Sequence, residues 1–417
     1  MVYVINYDGT PLMPCTQVVA RLLLKQGKAK CIKKTPFTIK LLYQTTNYTQ
    51  KLTLGVDTGS SKIGSAVVDS KNDVIYLSEV EVRNDISKKM KRRLKYRKNR
   101  RNRKARYRKP RWMNRKNSFK TNRFSPTMTS KINSHLKEID FVKAILPVTK
   151  IILETSTFDT HALKNPDILR DTLLYQMGVN YGYANTKAYI LARDEYTCRH
   201  CKGKSKDKRL HVHHVVFREN GGSDDEKNLM ILCKTCHKKV HRGEIVIKGG
   251  KKKGQLKYAT QINSIRVQLL KKIPEAKETF GFITKEHRQI LGLEKEHYFD
   301  AAVIASQGKK IQFKVETVLV KKCVADGDYQ RFKGICGEIK IPIGKIQGFR
   351  KFDKIKYNND VYFIKGRYST GYVILMDING NKIDFKPIPK FNNIRRISAR
   401  DSWIVFQKLS IKTNTCS

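Results

Sequence analysis

Two Cys-x-x-Cys pairs, Cys198/Cys201 and Cys233/Cys236, constrain this chain more than any other feature. Four thiols so spaced are the usual ligand set of a tetrahedral structural zinc, which ties two short knuckles into one local fold. Thirty-one residues lie between the pairs, more than a simple ribbon needs, so the interval must carry structure of its own. From His211 it reads HVHHVVFRENGGSDDEKNLMILC. His213 and His214 enter an apolar, strand-like run, and Asn228 lies 14 residues beyond His214. His237 and His241 follow the second pair at i,i+4, on one helical face. The other five cysteines (Cys15, Cys31, Cys323, Cys336, Cys416) are scattered. In a reducing compartment the paired thiols point to metal, not to disulfides.

The chain has 86 Lys and Arg against 36 Asp and Glu, a formal net charge of +50. The stretch KKMKRRLKYRKNRRNRKARYRK, Lys88 to Lys109, holds 15 of the basic residues and no acidic one. Taking these from the total leaves 71 against 36, so the remainder is basic too. Such charge speaks of partners more than of fold, and its natural counterpart is a nucleic-acid backbone. An anionic membrane surface is the alternative, but no amphipathic apolar face accompanies the charge. No apolar run reaches the length of a membrane-spanning helix, and the opening MVYVINYDGT lacks the basic-then-apolar pattern of a secretory signal. The expectation is a soluble, cytoplasmic protein. The basic stretch is rich in helix formers and free of Pro until Pro110, so one long helix is expected, without the apolar stripe that docks a helix on a core. Leu94, Tyr96 and Tyr107 are its local anchors. The alternative is a disordered basic arm.

Residues 1–48 read as a small β-rich module with TPLMP at Thr10 to Pro14 and a helix ending at Gly27. Strands are expected at 52–57, 63–69, 74–82 and 151–154, helices at 135–146 and 258–272, and a further helix opening at HYFDAAVIA. Residues 310–417 read as a separate small β-rich domain. Three carboxylates punctuate the apolar segments: Asp57 in LTLGVDTGSSKIG, Glu154 in KIILE, and Asp300 one helical turn after His297. Any one of them alone is an ordinary turn or cap residue.

The paired His, the later Asn, and NLxxLCxxCHxxxH together resemble the HNH (ββα-metal) nucleases. That resemblance implies His213 and His237 as metal ligands, His214 as general base, and Asn228 orienting that base through its carbonyl oxygen. His241 stays open between ligand and helix residue, and His211 reads as a solvated neighbour. A purely structural zinc finger is the other reading, but it leaves the histidines without a task. The three carboxylate segments, separated by long inserts, resemble the RuvC/RNase H-like nucleases. There Asp57, Glu154 and Asp300 would hold two divalent ions, with His297 assisting the second-metal side or proton transfer. Oxygen ligands suit magnesium or manganese.

The order of these parts is similar to that of the IscB-type RNA-guided DNA endonucleases, transposon-encoded relatives of the type II CRISPR effectors. The implied fold class is α/β: a mixed RuvC sheet split in three, a bridge helix, an inserted HNH domain with a four-cysteine zinc site, and a small β-rich C-terminal domain. The implied boundaries are 1–48 (PLMP domain), 49–86 (RuvC part I), 87–112 (arginine-rich bridge helix), 113–183 (RuvC part II with linker), 184–248 (HNH), 249–309 (RuvC part III) and 310–417 (target-adjacent-motif and RNA-interacting domain). Arg92, Arg93, Arg97, Arg100, Arg101, Arg103, Arg106 and Arg108 would meet nucleic-acid phosphates. Only about 40 residues separate the basic helix from Glu154, too few for a helical recognition lobe. By the resemblance, a long structured guide (omega) RNA fills that role, so the expected partners are that RNA and target double-stranded DNA, with a monomeric protein and no membrane. The expected activity is Mg2+- or Mn2+-dependent cleavage of both DNA strands, HNH on the guide-paired strand and RuvC on the displaced one. The competing readings are a stand-alone homing or restriction-type HNH nuclease and a non-catalytic RNA-binding protein.

Overall fold

The computed structural model describes residues 1–102, 123–220, 222–247, 256–325, 329–331, 338–340 and 345–409. Among them no helix is long and apolar enough to cross a membrane. The chain forms two compact units, Met1–Ser156 with Gln261–Ser417, and Thr157–Thr260.

The first unit opens with β1 (Tyr3–Ile5), α1 (Gln17–Lys25), β2 (Ala29–Lys34) and β3 (Phe37–Leu41), a three-stranded sheet in the order β1-β3-β2. The PLMP stretch turns back along β1, with antiparallel bridges Ile5–Pro11 and Val2–Cys15. Thr16 caps α1 by accepting the Val19 N–H.

Next come β4 (Leu52–Thr58), β5 (Lys62–Val68) and β6 (Asp73–Glu81), an antiparallel meander. The basic stretch follows as α2 (Ile86–Asn102). The expected bridge helix extends to 112, and 103–112 lie outside the described residues, as do Arg103, Arg106, Arg108 and Tyr107. The side chain of Arg100 is likewise outside the description. Lys89 pairs with Asp85 at 2.7 Å, while the buried Nε atoms of Arg97 and Arg101, i,i+4 on one face, have no hydrogen-bond partner. Helix α3 (Pro126–Lys143) starts earlier than expected because Ser125 caps it, accepting from the Met128 N–H with Pro126 in the first turn. Strand β7 (Val148–Thr155) then pairs in parallel with β4.

The second unit holds α4 (Thr186–Arg193), β8 (Leu210–His214), β9 (Leu229–Cys233) and α5 (Lys234–Arg242), with β8 and β9 antiparallel. Its span of 157–260 is wider than the expected 184–248.

After α6 (Leu256–Lys272), β10 (Lys277–Phe280) pairs in parallel with β7. The run β6-β5-β4-β7-β10, a meander followed by two strands parallel to its first member, is the RNase H-like core. Leu52, Leu54, Val56, Ile63 and Leu153 pack on one face with Ile132, Ile139, Val142, Ile265 and Leu269, so α3 and α6 cover that side. Helices α7 (Gly281–Ile290) and α8 (His297–Ser306) follow. On the opposite face Ala66, Val68 and Leu77 pack against Tyr298, Ala301, Ala302 and Ala305 of α8.

Two glycines set how close α8 comes. A Cβ on Gly64 would lie 1.9 Å from the His297 carbonyl oxygen, and one on Gly55 2.2 Å from that of Ala301. Both obstacles are backbone, which cannot swing aside. Gly64→Ala is therefore expected to destabilise the fold by about 3 kcal/mol, the upper part of the usual overpacking range. A thermal melt within a degree of the parent's would contradict this packing.

The expectation of a separate domain from 310 is corrected. Strands β11 (Gln312–Phe313) and β12 (Thr317–Cys323) both pair with β6. The sheet continues through β12 to the last described strand, which is antiparallel to it. Residues reading as surface lysine hide this: Lys321 is fully buried, its Nζ 2.7 Å from Glu138 Oε2, and Glu138 also accepts from Ser65 and Ser78 at 2.6 Å. Between β12 and that last strand lie a pair, β13 (Tyr329–Arg331) and β14 (Glu338–Lys340), and five further strands. These are β15 (Lys354–Tyr357), β16 (Asp360–Arg367), β17 (Val373–Met376), β18 (Lys382–Ile383) and β19 (Arg395–Ser398), built around Ile355, Ile364, Val373, Leu375 and Phe391. The last strand is β20 (Trp403–Leu409); residues 410–417, and Cys336 and Cys416, lie outside the described residues.

Candidate active sites

In the first unit the parallel register of β4 and β7 puts Asp57 directly beside Glu154. Thr58 Oγ1 donates to the Glu154 backbone carbonyl at 2.6 Å and fixes that register at its end. Helix α8, seated on Gly55 and Gly64, brings His297 Nδ1 to 2.6 Å from Asp57 Oδ2 and carries Asp300 one turn further on. The sequence-predicted quartet thus converges from two strands and one helix.

The electrostatics are those of crowded carboxylates. Burial, then the charge of Asp57, pushes the Glu154 carboxyl up to about 7; the Thr284 hydroxyl partly opposes this and Asp300 adds to it. Asp300 is raised by burial and by Asp57, against the pull of Arg288. His297 is raised by its hydrogen bond to Asp57, against its own burial. Arg288, which sequence reasoning missed because nothing in RQILGL marks it, has Nε 2.8 Å from Asp300 Oδ1. The two atoms are misaligned for a hydrogen bond, so both are buried without a hydrogen-bond partner. Three carboxylates, two of them raised by burial and by the charge of Asp57, are the hard oxygen donors that a divalent cation takes.

In the second unit the hairpin and α5 build another centre. Cys233 caps α5, accepting from the Cys236 N–H, and Gly243 ends the helix at φ 82°. His213, on β8, meets His237 and His241 of α5 with ring centroids 5.2 and 5.5 Å away, and those two rings lie 4.6 Å apart. The ligand nitrogens of the three lie within 4.8 Å of one another. His241, left open by the sequence, therefore stands with His213 and His237. Burial and the neighbouring imidazoles hold His213 down to about 4, and His237 is lowered by burial and by His241. Neutral imidazoles with free lone pairs are what a metal ion takes. His211 is exposed and stacks on His237 at 5.2 Å.

Asn228 is placed otherwise than expected. Its Oδ1 accepts the Val216 N–H at 2.9 Å, and its Nδ2 donates to the carbonyls of Val216 and Ser223 at 3.0 and 2.8 Å. The side-chain amide is fully used in closing the 216–223 loop, so it does not orient His214. His214 Nε2 instead lies 2.8 Å from Asp224 Oδ1.

The Sγ atoms of Cys198, Cys201, Cys233 and Cys236 also lie within 4.8 Å of one another, Cys201 and Cys233 at 3.8 Å. Tetrahedral zinc with bonds of about 2.3 Å spaces its sulfurs about 3.8 Å apart, so the four thiols fit the ion.

A family model described as RRXRR protein matches residues 2–178, and one described as HNH endonuclease matches residues 198–243. Anaredoxin of Nostoc sp. (strain PCC 7120) is 31% identical over 16% of this chain and 86% of its own. The mutS homolog L359 of Acanthamoeba polyphaga mimivirus is 31% identical over 21% of this chain and 10% of its own. A crystal structure of Streptococcus thermophilus Cas9 in complex with the AGAA PAM has a TM-score of 0.34 at 12% identity, over 58% of this chain and 32% of that one. The chain thus spans about a third of that Cas9 and a tenth of the mutS homolog.

Proposed function

Because this chain belongs to the IscB-type nucleases, which join a RuvC core to an HNH domain, we propose that it is an RNA-guided endonuclease cutting both strands of a target DNA duplex. The observation that carries the reading is the presence of two separately built clusters, one in each unit: Asp57, Glu154, His297 and Asp300, and His213, His237 and His241, with His214 next to His213 on β8. One site suffices to cut one strand. The HNH site takes the guide-paired strand and the RuvC site the displaced one.

Asp57, Glu154 and Asp300 would hold Mg2+ or Mn2+ in the RuvC site, and His213, His237 and His241 would hold the ion of the HNH site; Cys198, Cys201, Cys233 and Cys236 would hold a structural zinc. When bound, the divalent ions would polarise the phosphoryl oxygens and lower the pKa of water to near neutral. His297, tied by Nδ1 to Asp57, keeps Nε2 for proton transfer, and His214 takes the proton of water in the HNH site. Helix α2, with no acidic residue and with Arg97 and Arg101 lacking Nε partners, supports a phosphate-rich partner such as a guide–target heteroduplex.

The test is to express the chain with its flanking non-coding DNA, sequence the RNA that purifies with it, and supply a matching duplex. A discrete structured RNA and metal-dependent cutting of both strands are expected. Heterogeneous RNA or none, with cutting retained, favours the stand-alone nuclease; a discrete RNA without cutting favours an RNA-binding protein.

The raised Glu154 sets a pH dependence. Below about 7 the metal-free site holds a proton that an incoming cation must expel. In a His214→Ala background, where only the RuvC cut is read, the Mg2+ concentration for half-maximal rate is expected to rise about tenfold per pH unit below 7 and to level off above it. A flat Mg2+ requirement between pH 5.5 and 7 would sink this account.

A further inference from the structure

We propose that Asp224 is the positioning residue of the HNH site, holding His214 by Nε2 so that Nδ1 is the nitrogen that takes the proton from water. The inference rests on the reading of His214 as general base.

An ionised carboxylate only accepts hydrogen bonds, so the nitrogen facing it at 2.8 Å carries the hydrogen. A neutral imidazole has one N–H, which leaves the lone pair on Nδ1. Asp224 is kept ionised by the same contacts: His214 first, then Arg218, lower its carboxyl below the usual range. Arg218 Nε donates to Asp224 Oδ1 at 2.8 Å.

Asp224 is 67% exposed, and an exposed ion pair alone holds little. The loop supplies the rest. Buried Asn228 ties down the Ser223 carbonyl, one residue before Asp224, and both backbone groups of Val216, two residues after His214. The loop closes tightly enough that a Cβ on Gly222 would lie 1.7 Å from the Val216 carbonyl oxygen. The Val215 N–H also donates to the Asn228 backbone carbonyl at 2.9 Å. Asn228 thus acts on His214 at one remove: it fixes the loop, the loop presents Asp224, and Asp224 sets the ring.

The experiment uses the full chain with its co-purified RNA, in an Asp57→Ala background so that only the HNH cut is read. Asp224→Ala is expected to slow single-turnover cutting of the guide-paired strand about 100-fold, within the range general-base catalysis contributes, with duplex binding and metal content unchanged. Asp224→Glu is expected to restore most of the rate. Independently of cutting, nitrogen-15 NMR of the histidine rings reads the tautomer, the His214 signal being assigned by its loss in His214→Gln. The parent is expected to show the proton on Nε2, and Asp224→Ala a mixture of tautomers. Unchanged rate and tautomer in Asp224→Ala, or a parent ring protonated on Nδ1, overturns the proposal and leaves the pair an ordinary surface contact. A parent that cuts nothing refutes the nuclease reading alone, and the ring tautomer still decides the role of Asp224.

Discussion

Asp57→Ala turns a double-strand cut into a nick in the guide-paired strand, and His214→Ala leaves the complementary nick in the displaced strand. Loss of the cation ligand Asp57, or of the general base His214, removes several kcal/mol of transition-state stabilisation, so the silenced cut is expected to fall by about 1,000-fold. The other cut is expected to stay within about twofold, because its groups lie in the other unit. Strand-resolved gels of end-labelled duplex read both outcomes. Loss of both cuts from either single change contradicts two independent sites. The Asp57 case carries an internal control for misfolding. Its charge raises the carboxyls of both Glu154 and Asp300, so removing it relieves repulsion in the metal-free protein. The same change removes the partner of His297, so the two effects oppose one another and the metal-free melting temperature is expected to stay within a few degrees of the parent's; a larger fall would make the lost cut a folding defect.

Cys233→Ser should unfold the second unit while sparing the first. The apolar groups of that unit form two small clusters, one of Leu232 with three of the cysteines, the other of Ile190, Leu229 and Ile231. So little buried surface leaves stability to the metal, whose binding in comparable small domains is worth about 10–16 kcal/mol. Cys233 also caps α5, a role serine keeps, so the change isolates the loss of the metal ligand. The expected result is loss of bound zinc, rapid proteolysis within 157–260, no HNH cut and a retained RuvC nick. Cys198→Ser should behave alike. Unchanged zinc content in either variant removes the four-thiol site.

The parts legible in the sequence were those written in local pattern. Alternating Val, Ile and Leu marked β4 to β7, and the two thiol pairs and i,i+4 histidines marked the second centre. What stayed hidden depends on partners far along the chain. That Asp57 and Glu154 are neighbours is a fact of parallel register between strands 97 residues apart, which the family resemblance anticipated and no local pattern encodes. A lysine in TVLVKKC reads as surface because lysine is rarely buried unpaired, yet Lys321 finds Glu138 across 183 residues. That pairing places β12 in the core sheet and moved the expected domain boundary. Asp224 did carry a signal, its place in the GGSDD loop after the paired histidines. The Asn took the attention because the family resemblance assigned it the task.

The way the main sheet ends has a practical consequence. Cys323 and Trp403 stand opposite one another where β12 ends and β20 begins, so the intervening 324–402 leave and re-enter the core at one doorway. Opposed residues of such a pair sit about 5 Å apart, and the segment is also seated on the sheet itself: Phe363 and Met376 pack against Ile404 of β20, and Lys354 Nζ donates to the Val405 carbonyl at 3.5 Å. The segment is thus a cartridge in a socket. Exchanging it between relatives at these two positions should keep Asp57, Glu154 and His297 in place on β4, β7 and α8, provided the incoming segment carries the apolar side chains that cover Ile404.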